Sequence, residues 1–353
     1  MIPARFRPTS ASTPPLTFSL DASVPKLPLP SLEDTLSRYR TLALPFCNSQ
    51  AEVAQLDESI RASLVELQVA QSMLAKRHAS TDNYVDEWWK KKGYLEDRSA
   101  IVPQESSSGD WSCHWSQTER AALTMFAAAK VHATLVNETY PVLGPSSNVH
   151  WSMHQFRPVF EACRIPKLGC DEHFVNFRTK REHGDLSKRH FIVGVNGRLY
   201  KVNANLSLAE LALMVQEIER DAFKPFSDAE FHSVGYLTGC DRDFWAKTRS
   251  QLIATDSKNM AVLHAIETAL AFVTLDPSSP GDDGLNSVIT ALSFPSDAAS
   301  RWFDKSTQFV VFKNGKSGHS MEHSVFVGFV PFVLLLRASS SSLDTYRVKL
   351  IRF

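Results

Sequence analysis

The sequence lacks paired cysteines, an excess of charge of either sign, and any apolar run long enough to cross a bilayer. The five cysteines (Cys47, Cys113, Cys163, Cys170 and Cys240) are odd in number, scattered and without a CxxC pair. That pattern argues against a disulfide framework and a thiolate zinc site, and it fits a reducing interior. Thirty-eight Lys and Arg balance 38 Asp and Glu, so no basic field draws in nucleic acid. The longest apolar run, Val325 to Leu336, is interrupted by Gly328 and Pro331 and falls short of the 18 or so residues of a spanning helix. No P-loop, GxSxG elbow or GxGxxG turn occurs, which removes support from kinase, hydrolase and dinucleotide readings.

What is present is a chain of 353 residues, 43% hydrophobic, enough for one large core or two ordinary ones. The first twenty residues carry Arg5 and Arg7 and no acid before Asp21, weakly like a transit peptide. Pro3, Pro8, Pro14 and Pro15 spoil an amphipathic helix there, so residues 1–18 are expected to form a disordered leader. Lys26–Pro30 reads as an extended entry, and Ser49 with Glu52 opens a helix running to about His78. Ser116 with Glu119 and Ser207 with Glu210 mark two further helix starts. Phe191–Val195 and Arg198–Val202 flank Asn196-Gly197, the pair that favours a two-residue type I′ turn. Asp241–Ile253 and Asp256–Val273 read as helices, residues 277–284 as a loop, and Gln308–Phe312 as a strand. Helices and strands mix without a βαβ period or an internal repeat, which predicts an α/β fold with a mixed sheet.

Six separated blocks resemble, in the right order, the choline/carnitine acyltransferase family. Leu27-Pro-Leu-Pro-Ser-Leu32 with Thr35-Leu-Ser-Arg-Tyr39 is similar to its opening motif, and Asp86-Glu-Trp-Trp89 with Tyr94-Leu95 to its tryptophan-pair block. Cys163-Arg-Ile-Pro166, Trp245-Ala246 and the helix with Ile266-Glu267 also fit. The longest block runs from Arg301-Trp-Phe-Asp-Lys305 through Gln308–Val311, Asn314-Gly315 and Gly318 to Glu322-His323. The resemblance implies a coenzyme A-dependent acyltransferase fold of the chloramphenicol-acetyltransferase type, with the second of two domains largely missing. It places a helical segment at 19–79 that packs on that second domain, an N-terminal acyltransferase domain at 80–328 and a divergent tail at 329–353. From Val325 onward the resemblance is expected to stop, and the coenzyme A motifs that lie beyond the family's histidine have no counterpart.

The resemblance implies that His323 is a general base for moving an acyl group between coenzyme A and the hydroxyl of carnitine, or of choline. An alcohol is a poor nucleophile at neutral pH, and an imidazole that takes its proton as the oxygen attacks is worth roughly 10²- to 10⁴-fold. Trp89 and Tyr94 match positions that line the alcohol site, where an aromatic face meets a trimethylammonium cation. Coenzyme A enters as a cosubstrate; no permanently bound cofactor is expected, and the acyl chain is expected to be short. The family's acid four residues after the base is Val327 here, although its glycine is kept as Gly328. Asp304, Arg164 and Arg301 read as structural charges. The location implied is mitochondrial or peroxisomal, with the cytoplasm an alternative. His319-Ser-Met-Glu-His323 also spells H-x-x-E-H, a zinc-peptidase signature when on a helix, but Gly315 and Gly318 precede it and no third ligand stands out. The rival from another class is a degenerate homologue that catalyses nothing.

Overall fold

The computed structural model describes residues 14–101, 106–110, 115–144, 149–227, 233–281 and 285–325. They fall into two compact units, Ser23–Lys91 and the remainder. The smaller unit holds α1 (Leu32–Ala43), α2 (Gln50–Ser80) and α3 (Asp86–Lys90). Ser31 caps α1 by accepting from the Asp34 amide at 3.0 Å, and Ser49 caps α2 by accepting from the Glu52 amide at 3.2 Å. The Glu52 carboxylate accepts from the Asn48 amide at 2.6 Å rather than from Ser49, so only half of the expected capping box closes. Arg40 forks onto Asp57 at 2.6 and 3.0 Å and ties α1 to α2. The extended entry lies along α2, with Gln71 donating to the Pro30 carbonyl at 2.9 Å.

The larger unit is built on a six-stranded sheet. Its strands are β1 (Ser106–Asp110), β4 (His190–Val195), β5 (Arg198–Asn203), β6 (Phe272–Asp276), β7 (Gln308–Phe312) and β8 (Ser317–Met321), in the order β1-β8-β7-β6-β4-β5. Strands β4, β6 and β7 run parallel, and the outer pairings are antiparallel. Separately, β2 (Ala162–Ile165) and β3 (Glu172–Val175) form an antiparallel pair. Five helices accompany the strands: α4 (Gln117–Val136), α5 (Leu208–Ala222), α6 (Arg242–Thr255), α7 (Ser257–Glu267) and α8 (Leu285–Ser293).

Alternation along the strands divides the core. Phe191, Val193 and Val195 of β4 and Phe309 and Val311 of β7 pack with Met125, Leu135, Leu211 and Val215 of α4 and α5. Ile192 and Phe272 point the other way and pack with Trp245, Leu263, Ile266 and Trp302. The capping boxes at Ser116 and Ser207 are closed in both directions, and Asn196 (φ 49°) and Gly197 (φ 72°) turn the β4–β5 hairpin as expected.

Two expectations need correction. The helix expected to span Asp256–Val273 ends at Glu267, and Phe272–Asp276 is the central strand β6. Leu270 continues the apolar stripe of α7, but the Phe-Val-Thr-Leu run is better placed in a strand buried on both faces. Of the leader expected at 1–18, residues 1–13 lie outside the described residues, while Thr17 and Phe18 are buried and the Thr17 hydroxyl donates to the Tyr140 carbonyl at 2.6 Å. Leu285–Ser293, following the expected loop, is a helix. The tail at 329–353 lies outside the described residues. His319 stands on β8, so the H-x-x-E-H spelling does not fall on a helix.

Gly235 offers a sharp packing test. A Cβ there would sit 2.1 Å from the Arg301 carbonyl oxygen and 2.7 Å from that of Ala299, both backbone atoms. Gly235→Ala is expected to lower the unfolding free energy by about 1–3 kcal/mol or more, read as a lower urea midpoint. Gly93→Ala, where no atom lies within 4 Å, serves as the control.

Candidate active site

His323 follows β8 directly, in a turn whose flanking residues Glu322 and Ser324 are buried while its own ring is half-buried. Its Nδ1 lies 3.2 Å from the Tyr94 hydroxyl, and the two rings stack at 5.6 Å with 11° between their planes. Tyr94 sits in a π-helical turn, Lys91–Leu95, so residues 229 apart in the chain meet at one point. Trp89, on α3 of the smaller unit, is 59% exposed; its neighbour Trp88 lies under the Arg77 guanidinium, 4.4 Å from the ring centroid. Of the three residues singled out from the sequence, the larger unit therefore joins Tyr94 and His323. Val327 and Gly328 lie outside the described residues.

Beneath the His323 turn runs a chain of buried charges. Glu322 accepts from Arg164 Nη1 at 3.2 Å and from the Ser324 hydroxyl at 2.5 Å, and that hydroxyl lies 2.7 Å from His173 Nε2. Arg164 Nε donates to Asp171 at 2.7 Å, and its Nη2 donates to the Tyr94 carbonyl at 2.8 Å. Asp171 also accepts from Arg98 at 2.8 Å and from Arg242 at 2.7 Å. Arg242 continues to Asp304 at 2.7 Å, whose other oxygen accepts from the Trp245 indole at 2.7 Å. Burial alone would push the Asp171 carboxyl up, but Arg242, Arg98 and Arg164 outweigh it and hold it below the ordinary carboxylate range. Arg301 is paired separately with Asp276 at 2.7 Å. The structural roles expected for Asp304, Arg164 and Arg301 thus have named partners. Asp171, Arg242, Glu322 and His173 were not legible as parts of this assembly; the one hint was Arg164 within the Cys-Arg-Ile-Pro block.

Two other buried groups have shifted protonation. Lys305 donates to the Glu267 carbonyl at 2.7 Å, and burial pulls its amine down to about 8. Burial likewise pulls the His319 imidazole down to about 4. A histidine kept neutral by the fold contributes stability above its unfolded value, about 6.5. That contribution is lost as pH falls from about 6.5 through about 4, at a slope approaching 1.4 kcal/mol per pH unit. His319→Gln is expected to remove this part of the acid dependence, measured by urea unfolding across that window.

Among the described residues no group of three or more His, Cys, Asp or Glu is arranged to hold a metal ion, and no helix is long and apolar enough to cross a membrane.

The sequence model of the Choline/Carnitine o-acyltransferase family matches residues 27–345. The chain belongs to that family, and its mixed sheet with flanking helices is consistent with the acyltransferase fold. The match extends past Ser324, where the resemblance was expected to stop. The chain is similar to human peroxisomal carnitine O-octanoyltransferase, at 29% identity over 89% of this chain and 53% of the relative. It is 27% identical to carnitine O-acetyltransferase of Columba livia over 94% of this chain and 54% of the relative. It is 28% identical to the human liver isoform of carnitine O-palmitoyltransferase 1 over 88% of this chain and 40% of the relative. The chain thus spans about half the length of the curated relatives it matches.

Proposed function

We propose that this chain supplies the general base of an acyl-CoA:carnitine acyltransferase, with His323 as that base. The observation that supports this most directly is the His323–Tyr94 pair, an imidazole and a phenol from distant family blocks brought into contact. A neutral ring that donates its Nδ1–H to the Tyr94 oxygen keeps a lone pair on Nε2, the form a base requires. Tyr94 then orients this ring, a part that the resemblance implies for an acid at the position where this chain has Val327. Nε2 takes the carnitine hydroxyl proton as the oxygen attacks the thioester carbonyl. The tetrahedral intermediate expels the coenzyme A sulfur, which receives the proton back from the imidazolium. Trp89, by its place in the tryptophan-pair block, is proposed to offer its ring to a trimethylammonium group. Carnitine is preferred to choline because the relatives are carnitine enzymes by name. A peroxisomal or mitochondrial address belongs to the same reading, as does coenzyme A as cosubstrate.

The test uses a hybrid in which residues 1–345 precede the remaining portion of carnitine O-octanoyltransferase, assayed with acetyl- and octanoyl-CoA against carnitine and choline in parallel. Acyl-carnitine formation is expected. No transfer to either alcohol by a folded hybrid would overturn the reading.

A further inference from the structure

The Arg164 guanidinium reaches in three directions from a site that is 2% exposed. Its Nε is anchored on Asp171, its Nη1 holds Glu322, the residue immediately before His323, and its Nη2 holds the backbone carbonyl of Tyr94, whose ring stacks on His323. The same guanidinium therefore fixes both partners of the imidazole–phenol pair against a common anchor. The strand that carries it is held in turn, since the Arg164 amide donates to the Asp304 carbonyl at 2.8 Å and Asp304 is locked by Arg242 and Trp245. The π-helical turn is tied to the same place from its other side, because the Asp171 amide donates to the Leu95 carbonyl at 2.9 Å.

We infer that Arg164 is a positioning residue that sets the Tyr94 ring against the His323 imidazole, an inference that rests on His323 being the base. A planar fork with donors on three nitrogens spans three acceptors at fixed angles; an ammonium, with all its donors on one atom, does not. Charge neutralisation and positioning are therefore separable. Arg164→Lys keeps the positive charge beside Asp171 and Glu322 but releases the Tyr94 carbonyl, which frees the ring to slide off the imidazole. If Arg164 served only to balance buried charge, lysine would leave the pair as it is.

The pair is read without turnover by the imidazole carbon–proton resonances of the 353-residue chain. His323 is assigned by its loss in His323→Gln, and His190, bonded to the Ala265 carbonyl at 2.7 Å, reports on the fold. Tyr94→Leu is expected to move the His323 resonance by removing the stacked ring, and Arg164→Lys to move it in the same direction with His190 unchanged. Glu322→Gln, which weakens one arm of the fork and spares the Asp171 anchor, is expected to give a smaller shift of the same sign. A His323 resonance at its original place in Arg164→Lys overturns the inference. If Arg164→Lys also displaces His190, the Glu322→Gln arm decides, and no shift there overturns it. In the hybrid, Arg164→Lys is expected to lower kcat by up to about 10²-fold with KM for acyl-CoA little changed, as for a misplaced reacting group. Loss of transfer in His323→Ala tests the base itself; the resonances test only its placement, so the two failures are distinguishable.

Discussion

His323→Ala, in the hybrid that spans the relatives' full length, is expected to lower kcat for transfer to carnitine by about 10²- to 10⁴-fold. Coenzyme A affinity, measured by calorimetry on the same protein, should be little changed, because the imidazole is assigned to proton transfer. An interaction that appears only as the hydroxyl proton moves lowers kcat and kcat/KM together and leaves ground-state binding alone. The fall should stop short of complete loss of acceleration, since positioning of the two substrates can contribute roughly 7–11 kcal/mol on its own. Tyr94→Phe keeps the stacked ring and removes the oxygen that receives Nδ1–H, so it is expected to lower kcat less than His323→Ala does. Undiminished transfer by His323→Ala would assign the base elsewhere.

The second large effect is on stability. Asp171→Ala removes the carboxylate shared by Arg98, Arg164 and Arg242, with the last two fully buried beside it. Removing one partner of a buried ion pair leaves an uncompensated charge and typically costs about 3–5 kcal/mol. Here three cations each lose one carboxylate, while Glu322 still holds Arg164 and Asp304 still holds Arg242, so a cost within that range is expected, seen as a large drop in the urea midpoint. Arg40→Ala, which breaks a pair whose side chains are 43% and 35% exposed, should lower the midpoint far less. The Asp171 carboxyl is held below its usual value, so its contribution is present above about pH 4 and is lost as pH falls toward the lower folded value. An Asp171→Ala variant no less stable than Arg40→Ala would show that the buried network is dispensable.

What the sequence made legible was the local chemistry. Ser116 with Glu119, Ser207 with Glu210 and Asn196-Gly197 specify caps and a turn within a few residues, and each appears where expected. Strand β7 has the bounds read for it, because Gln308–Phe312 is a short apolar run between turns. Strand β6 was hidden because Leu270 prolongs the stripe of α7, and periodicity alone does not separate a short buried strand from a helix end. Strands β1, β2 and β8, with sequences such as Ser-Ser-Ser-Gly-Asp, take their conformation from their partners, which no local window contains. The buried charges were the least legible. Arg164 and Asp304 read as structural charges, but their partners Arg98, Asp171, Arg242 and Glu322 are spread along the chain, where no local window shows the pairing. Only the folded arrangement brings them together under His323.

The sheet order also has a consequence for how the molecule is made. Strand β1 pairs with β8 through Ser106↔Met321 and Asp110↔Ser317, a separation of about 200 residues, while β4 and β5 close a hairpin across two. During synthesis the β4–β5 hairpin and its helices can form early, but β1 has no partner until β8 has left the ribosome, and His323 lies just beyond β8. The turn bearing the proposed base is thus the last part of this sheet to be put in place, and until then the edge of β7 is open. Closure of this sheet should consequently be slow and dependent on protection of that edge, with the His323 turn maturing only when the longest-range pairing closes.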